Sequence, residues 1–141
     1  MGSKSNPMKN QPDNFMHQEI TNKIIGAFFN VYNKLGYGFL EKVYQNALLI
    51  EISKFGLNAT AQMPIKVFYE SCEVGYYFAD LIVNDLVIVE IKACEGLIAE
   101  HEAQLVNYLK ATDLEVGLLV NFGIKPTFKR KVFSNNFKTL I

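Results

Sequence analysis

Charge of neither sign is in surplus: 14 Lys and Arg stand against 14 Asp and Glu, so the formal net charge is zero. That balance argues against a protein held to nucleic acid by bulk positive charge, while leaving open a local basic patch. Cysteine is scarce. Cys72 and Cys94 show no CxxC spacing and follow no signal peptide, so they read as ordinary thiols and the expected home is a reducing cytoplasm. No apolar run reaches the roughly 18 residues that a membrane-spanning helix needs. Internal repeats and long linkers are missing as well.

What is present suits a single globular core. Half of the 141 residues are hydrophobic, and eleven Phe and seven Tyr are among them. A chain of this length can bury roughly 70% of its unfolded surface, which makes a disulfide or a structural metal unnecessary. The opening "MGSKSNPMKNQPDN" is polar and without apolar periodicity, so residues 1–14 are expected to form a disordered leader and residues 15–141 one domain.

Apolar residues recur at helical spacing from Phe15 to Leu35 (Ile20, Ile24, Phe28, Val31, Leu35), and Gly36 supplies a left-handed stop. A second helix is expected from about Phe39 to Phe55, with Val43, Tyr44, Ala47, Leu48 and Ile52 inward. "AQMPIKVFYE" and "CEVGYYFADLIV" read as strands joined by a tight turn at Glu70 and Ser71, with Pro64 suiting an edge strand. "LVIVEIKA" is a third strand. Helical spacing returns from about Ile98 to Ala111 with Ile98, Leu105 and Leu109 as its seam, and the unbroken apolar run "VGLLVNF" reads as an interior strand. The basic tail is expected to end in a short strand or turn. The order α-α-β-β-β-α-β defines an α/β domain with a mixed sheet flanked by helices.

Against this apolar background the charges in "FADLIVNDLVIVEIK" need a reason, because an unpaired charge inside a sheet is costly. Alternation puts Glu90 and Lys92 on one face of their strand and Val89 and Ile91 on the other. Whether Asp80 joins them is a matter of register. A two-residue turn at Asn84 and Asp85 would set Asp80 opposite Val89, on the wrong face. One extra residue restores parity, either a bulge or a three-residue loop that pairs Val83 with Val87. A bulge is the expected form, since a three-residue loop would ask Leu86 to adopt positive φ. Two converging carboxylates beside a lysine make a hard, oxygen-rich site for Mg²⁺ or Mn²⁺, suited to phosphodiester hydrolysis. A strand-end ion pair between Lys92 and Glu90 or Asp80 accounts for the same residues.

Asp80, followed after nine residues by Glu90-Ile91-Lys92, resembles the PD-(D/E)XK nuclease signature, and "GFLEKVY" from Gly38 to Tyr44 resembles the motif of the GxxExxY family within that superfamily. "ADLIV", "IVEIKA" and "HEAQLVNYLK" follow in the same order, so the resemblance covers residues from about Glu19 to Phe122. It implies a restriction-endonuclease-like core and a Mg²⁺-dependent (or Mn²⁺-dependent) nuclease acting on DNA. Asp80 and Glu90 would be metal ligands, with the Ile91 carbonyl as a further one, and Lys92 the catalytic lysine. Glu41 would bind a metal or orient a water. With Gly38 as N-cap, Glu41 would instead be the third helical residue, where a glutamate caps the backbone. Gln104 and Tyr108, at i and i+4, resemble a QxxxY element that supports the lysine or the phosphate, and a plain polar helix face fits them equally.

The pattern departs from the superfamily where Ala79 replaces the proline before the aspartate, and where Tyr77 and Phe78 stand in place of a basic residue. Phosphate contacts are therefore sought at Lys125, Lys129, Arg130 and Lys131, which also suit a solvated tail. His101, in a helix's first turn between Glu100 and Glu102, reads as a surface residue. The competing class is a non-catalytic nucleic-acid-binding or protein-interaction module on the same fold. The expected partner is nucleic acid, DNA first, with no membrane and with a homodimer open.

Overall fold

The computed structural model describes residues 15–140, so the expected leader, residues 1–14, lies outside the described residues. The elements are α1 (Gln18–Leu35), α2 (Glu41–Lys54), β1 (Ala59–Tyr69), β2 (Cys72–Val83), β3 (Val87–Lys92), α3 (Ala99–Lys110), β4 (Val116–Phe122) and β5 (Pro126–Val132). The strands form one five-stranded sheet in the order β1-β2-β3-β4-β5. Only β3 and β4, joined through α3, run parallel; the other neighbours are antiparallel. The mixed sheet and the element order match the sequence reading, and the basic tail contributes β5.

Strand alternation sorts the core into two layers. On one face Leu81, Val83, Val87, Val89, Ile91, Leu118 and Val120 pack against Ile24, Phe28 and Val31 of α1 and Tyr44, Leu48 and Ile52 of α2. On the other, Ile82, Ile88 and Leu119 pack against Leu105, Tyr108 and Leu109 of α3. Every residue of β4 is buried because both its faces are covered and it has a strand on each side. The Glu70-Ser71 turn closes the β1–β2 hairpin, both residues at positive φ, and Pro64 lies on the edge strand β1.

Three expectations are corrected. Val43 is exposed rather than inward; α2 is rotated so that Gln45 and Glu51 are buried, each with a polar partner, Gln62 for the first and Asn30 and Lys54 for the second. Ile98 is the exposed N-cap of α3, and Tyr108 takes its place in the seam. Finally, α1 starts at Gln18, with Phe15 exposed ahead of it.

Candidate active site

The register question is answered by the β2–β3 loop. Val83 pairs with Val87, Ile82 with Ile88 and Leu81 with Val89, which carries Asp80 to Glu90. The extra residue is in the loop, not in a bulge as expected. The positive φ values that a three-residue loop requires fall on Asn84 (53°) and Asp85 (54°), residue types that tolerate them, and Leu86 is spared. Asn84 also earns its place by accepting the Asn58 N–H on its side-chain oxygen at 2.8 Å.

Beyond Leu81 the two strands are joined through their carboxylates. The Asp80 N–H donates to Glu90 Oε2 at 2.9 Å, and the Ile91 N–H donates to Asp80 Oδ2 at 2.8 Å. Each acid thus replaces a ladder bond and is held in one orientation by the opposite strand. Glu90 is only 5% exposed. Burial first, and then the charges of Asp80 and Glu41, push its carboxyl up to about 8, against the pull of the Asp80 N–H and Lys92. Burial also raises Asp80, opposed by the Ile91 N–H, Lys92, Gln62 and Lys42. A buried acid beside a half-buried one, with insufficient positive charge nearby, is a site that a cation would relieve.

The donor set fits a hard ion that keeps waters. Among the described residues no group of three or more His, Cys, Asp or Glu side chains is close enough together to hold a metal. Two rigid carboxylates suffice for Mg²⁺, which is commonly held by one or two carboxylates plus water and substrate phosphate. Asp80 and Glu90 would hold it. Ile91 lies between Glu90 and Lys92 with its side chain in the α1/α2 layer and its N–H on Asp80.

Glu41 is the first residue of α2, and its N-cap is Leu40 rather than Gly38, because Leu40 is the extended residue that precedes the helix (φ −73°, ψ 156°). No side-chain capping bond is made there, so the reading of Glu41 as the third residue of a capped turn is corrected. Its carboxylate is exposed at the positive end of α2 and its charge reaches Glu90. Tyr44 fixes that end: its hydroxyl donates to Gly36 O at 2.6 Å and accepts the Phe39 N–H at 3.2 Å.

Gln104 and Tyr108 are not a plain polar face. Gln104 Nε2 donates to Tyr108 Oη at 2.9 Å, Tyr108 is buried, and the charges of Glu90 and Asp80 act on its hydroxyl. Both line a cleft of about 520 Å³ together with Tyr77 and His101. His101 Nδ1 accepts the Ile98 N–H at 3.2 Å, the work of a helix cap. Of the basic run, Lys131 pairs with Glu102 at 2.6 Å and Arg130 bonds Met16 O and Thr21 Oγ1. Those two tie β5 to α3 and to the start of α1, while Lys125 and Lys129 are exposed. The solvated-tail reading is corrected to a paired strand.

Sequence reasoning missed Gln45 and Gln62. Gln62 Nε2 donates to Gln45 Oε1 at 2.7 Å, and Gln62 is near enough to Asp80 to favour its ionised form. Its one sequence-level signal is a polar residue in an otherwise strand-like run, which is too common to single it out.

A family model for the PD-(D/E)XK nuclease superfamily matches residues 18–132. The chain belongs to that superfamily. A solved structure described as the crystal structure of SSO0001 aligns with a TM-score of 0.52 at 18% identity, covering 66% of this chain and 50% of that one. The likeness extends to the fold, and this chain spans about half the length of that relative. No curated protein matches. Among the described residues, no helix is long and apolar enough to cross a membrane.

Proposed function

We propose that the protein is a divalent-metal-dependent nuclease that hydrolyses phosphodiester bonds in DNA, and that it belongs to the GxxExxY branch of its superfamily, with Gly38, Glu41 and Tyr44 as the motif positions. One observation carries the reading: Asp80 and Glu90 are locked side by side by reciprocal bonds to each other's strand, with Lys92 close enough for its charge to act on both. A structural ion pair would leave Lys92 bonded to one of the acids. One oxygen of each acid instead accepts a backbone N–H, and among the described residues Lys92 makes no ion pair within 4.0 Å.

Mg²⁺ or Mn²⁺, when bound, would polarise a phosphoryl oxygen and lower the pKa of a coordinated water. The chain's residues have distinct tasks. Asp80 and Glu90 supply fixed oxygens, Lys92 donates to the attacking water or to the charge building on phosphate, and Glu41 orients water from the α2 side. Gln104 and Tyr108 line the cleft beside them and meet the substrate strand. The free thiols of Cys72 and Cys94 support a reducing cytoplasm, and a homodimer would allow both strands of a duplex to be cut.

The test is incubation of the protein with labelled single- and double-stranded DNA and RNA in Mg²⁺, Mn²⁺ or chelator, beside Glu90→Ala and Lys92→Ala. Metal-dependent cleavage lost by about 10²-fold or more in Lys92→Ala is expected. Binding of nucleic acid without cleavage under any metal would favour the non-catalytic module. Equal cleavage by the variants would remove this site from the reaction.

A further inference from the structure

Gln62 holds a backbone conformation that is unusual for its residue type. Its φ is 56°, the left-handed region, inside β1, and it is neither glycine nor asparagine. Such a residue costs of order 1 kcal/mol or more and persists only where something offsets it. Burial is not the offset, because the Gln62 side chain is exposed.

The consequence for the strand is visible on either side. Ala61 packs against the α1/α2 layer, whereas Met63, two residues on and nominally on the same face, packs against the α3 layer. β2 does the same across Asp80, with Leu81 in the first layer and Ala79 in the second. Ala61 pairs with Leu81 and Met63 with Ala79, so Gln62 stands directly opposite Asp80 at the point where the hairpin turns over.

At that point the Gln62 amide is anchored on α2 and lies near the Asp80 carboxylate. Its Nε2 donates to Gln45 Oε1 at 2.7 Å, and its nearness to Asp80 favours the ionised form of that carboxylate. Gln45 is buried in α2, one turn after Glu41, and its oxygen is therefore a fixed acceptor. The amide is held from the helix side and stands opposite the carboxylate on the sheet side. The Ile91 N–H grips Asp80 from the other direction.

We infer that Gln62 is a positioning residue for the metal centre: its strained backbone aims an amide that, anchored on Gln45, fixes the Asp80 carboxylate for cation binding. The assignment rests on the proposed metal-dependent reading of Asp80 and Glu90. Outer partners that orient a ligating carboxylate typically matter 10–100-fold in metal affinity. A second possible reason for Gln62 is purely architectural, the turning-over of the hairpin, and the two are separable because glycine adopts the same φ without an amide.

Mn²⁺ affinity, read by the paramagnetic resonance of the free ion and by calorimetry, is the measurement. Gln62→Gly is expected to keep the far-UV circular dichroism of wild type and to lose about tenfold in affinity. Gln62→Asn, which also tolerates positive φ but is one methylene short, should lose affinity similarly. Gln45→Met keeps the buried volume, removes the acceptor and should give a smaller loss. Gln45→Met combined with Gln62→Gly should be no weaker than Gln62→Gly alone, since Gln45 acts only through Gln62. Wild-type affinity in Gln62→Gly overturns the assignment and leaves the architectural role. Additive losses in the double variant overturn the relay through Gln45. Wild type that binds no Mn²⁺ removes the metal centre itself, and the assignment with it, a result distinct from the other two.

Discussion

The Tyr44 ring lies flat on Phe122, with centroids 4.0 Å apart and planes 12° from parallel, and so clamps the start of α2 to the end of β4. The ring is fully buried, yet its hydroxyl reaches back to Gly36 O and the Phe39 N–H, the two sides of the α1–α2 connection. The tyrosine three residues after Glu41 is therefore a structural part of the motif. It sets where the positive end of α2, and Glu41 with it, stands relative to Glu90.

Tyr44→Phe should keep the stack and leave the Gly36 carbonyl and the Phe39 N–H without their partner. The expected cost is about 1–3 kcal/mol in urea denaturation, with the fold retained. A loss below about 0.3 kcal/mol would mean that water replaces the hydroxyl and that the clamp is the ring alone.

How much of this was legible beforehand depends on the physics each residue obeys. Glu90 and Lys92 could be read because alternation in a strand is local and strict, and "VGLLVNF" because burial on both faces leaves no polar position. The meeting of Asp80 with Glu90 could be framed only as parity. Which loop supplies the extra residue depended on whether Asn84 and Asp85 would both go left-handed, a choice worth little energy for those residue types. Gln62 was invisible, because its role arises from a φ that only the assembled hairpin and α2 stabilise. The helix faces of Val43 and Ile98 failed for a related reason: partners across space decide which neighbour turns inward, and the 3.6 period leaves two candidates.

Gly117 shows how closely α3 sits on the sheet. A β-carbon there would stand 2.6 Å from a methyl of Leu105, which is itself fully buried, and 3.0 Å from its branch carbon. Leu105 lies one residue after Gln104 and three before Tyr108, so relieving the clash moves the helix that carries both. Gly117→Ala is expected to cost about 1–3 kcal/mol by overpacking. Gly96→Ala, where the β-carbon meets nothing within 4 Å, is the control and should stay within about 0.5 kcal/mol of wild type. Thermal melts of the two variants beside wild type decide it; equal melting temperatures would show that Leu105 shifts without cost.

The raised acids couple stability to pH with a definite sign. An unfolded chain loses the Glu90 proton in the usual carboxylate range near 4.5, whereas the metal-free native state keeps it up to about 8. Between those values the native state binds more protons, so unfolding free energy falls as pH rises through this window, and the raised Asp80 adds in the same direction. A drop on the order of a few kcal/mol is expected between about pH 5 and pH 8 in chelator. Cation binding needs the ionised acids, so added Mn²⁺ should restore stability most at the alkaline end and little at pH 5 or so. Glu90→Gln keeps the shape and removes both the proton and the charge. It should flatten the metal-free slope and abolish the Mn²⁺ stabilisation together, as read by urea denaturation at several pH values. A variant with the wild-type slope would place the pH dependence elsewhere, and one still stabilised by Mn²⁺ would mean that Glu90 is not a ligand.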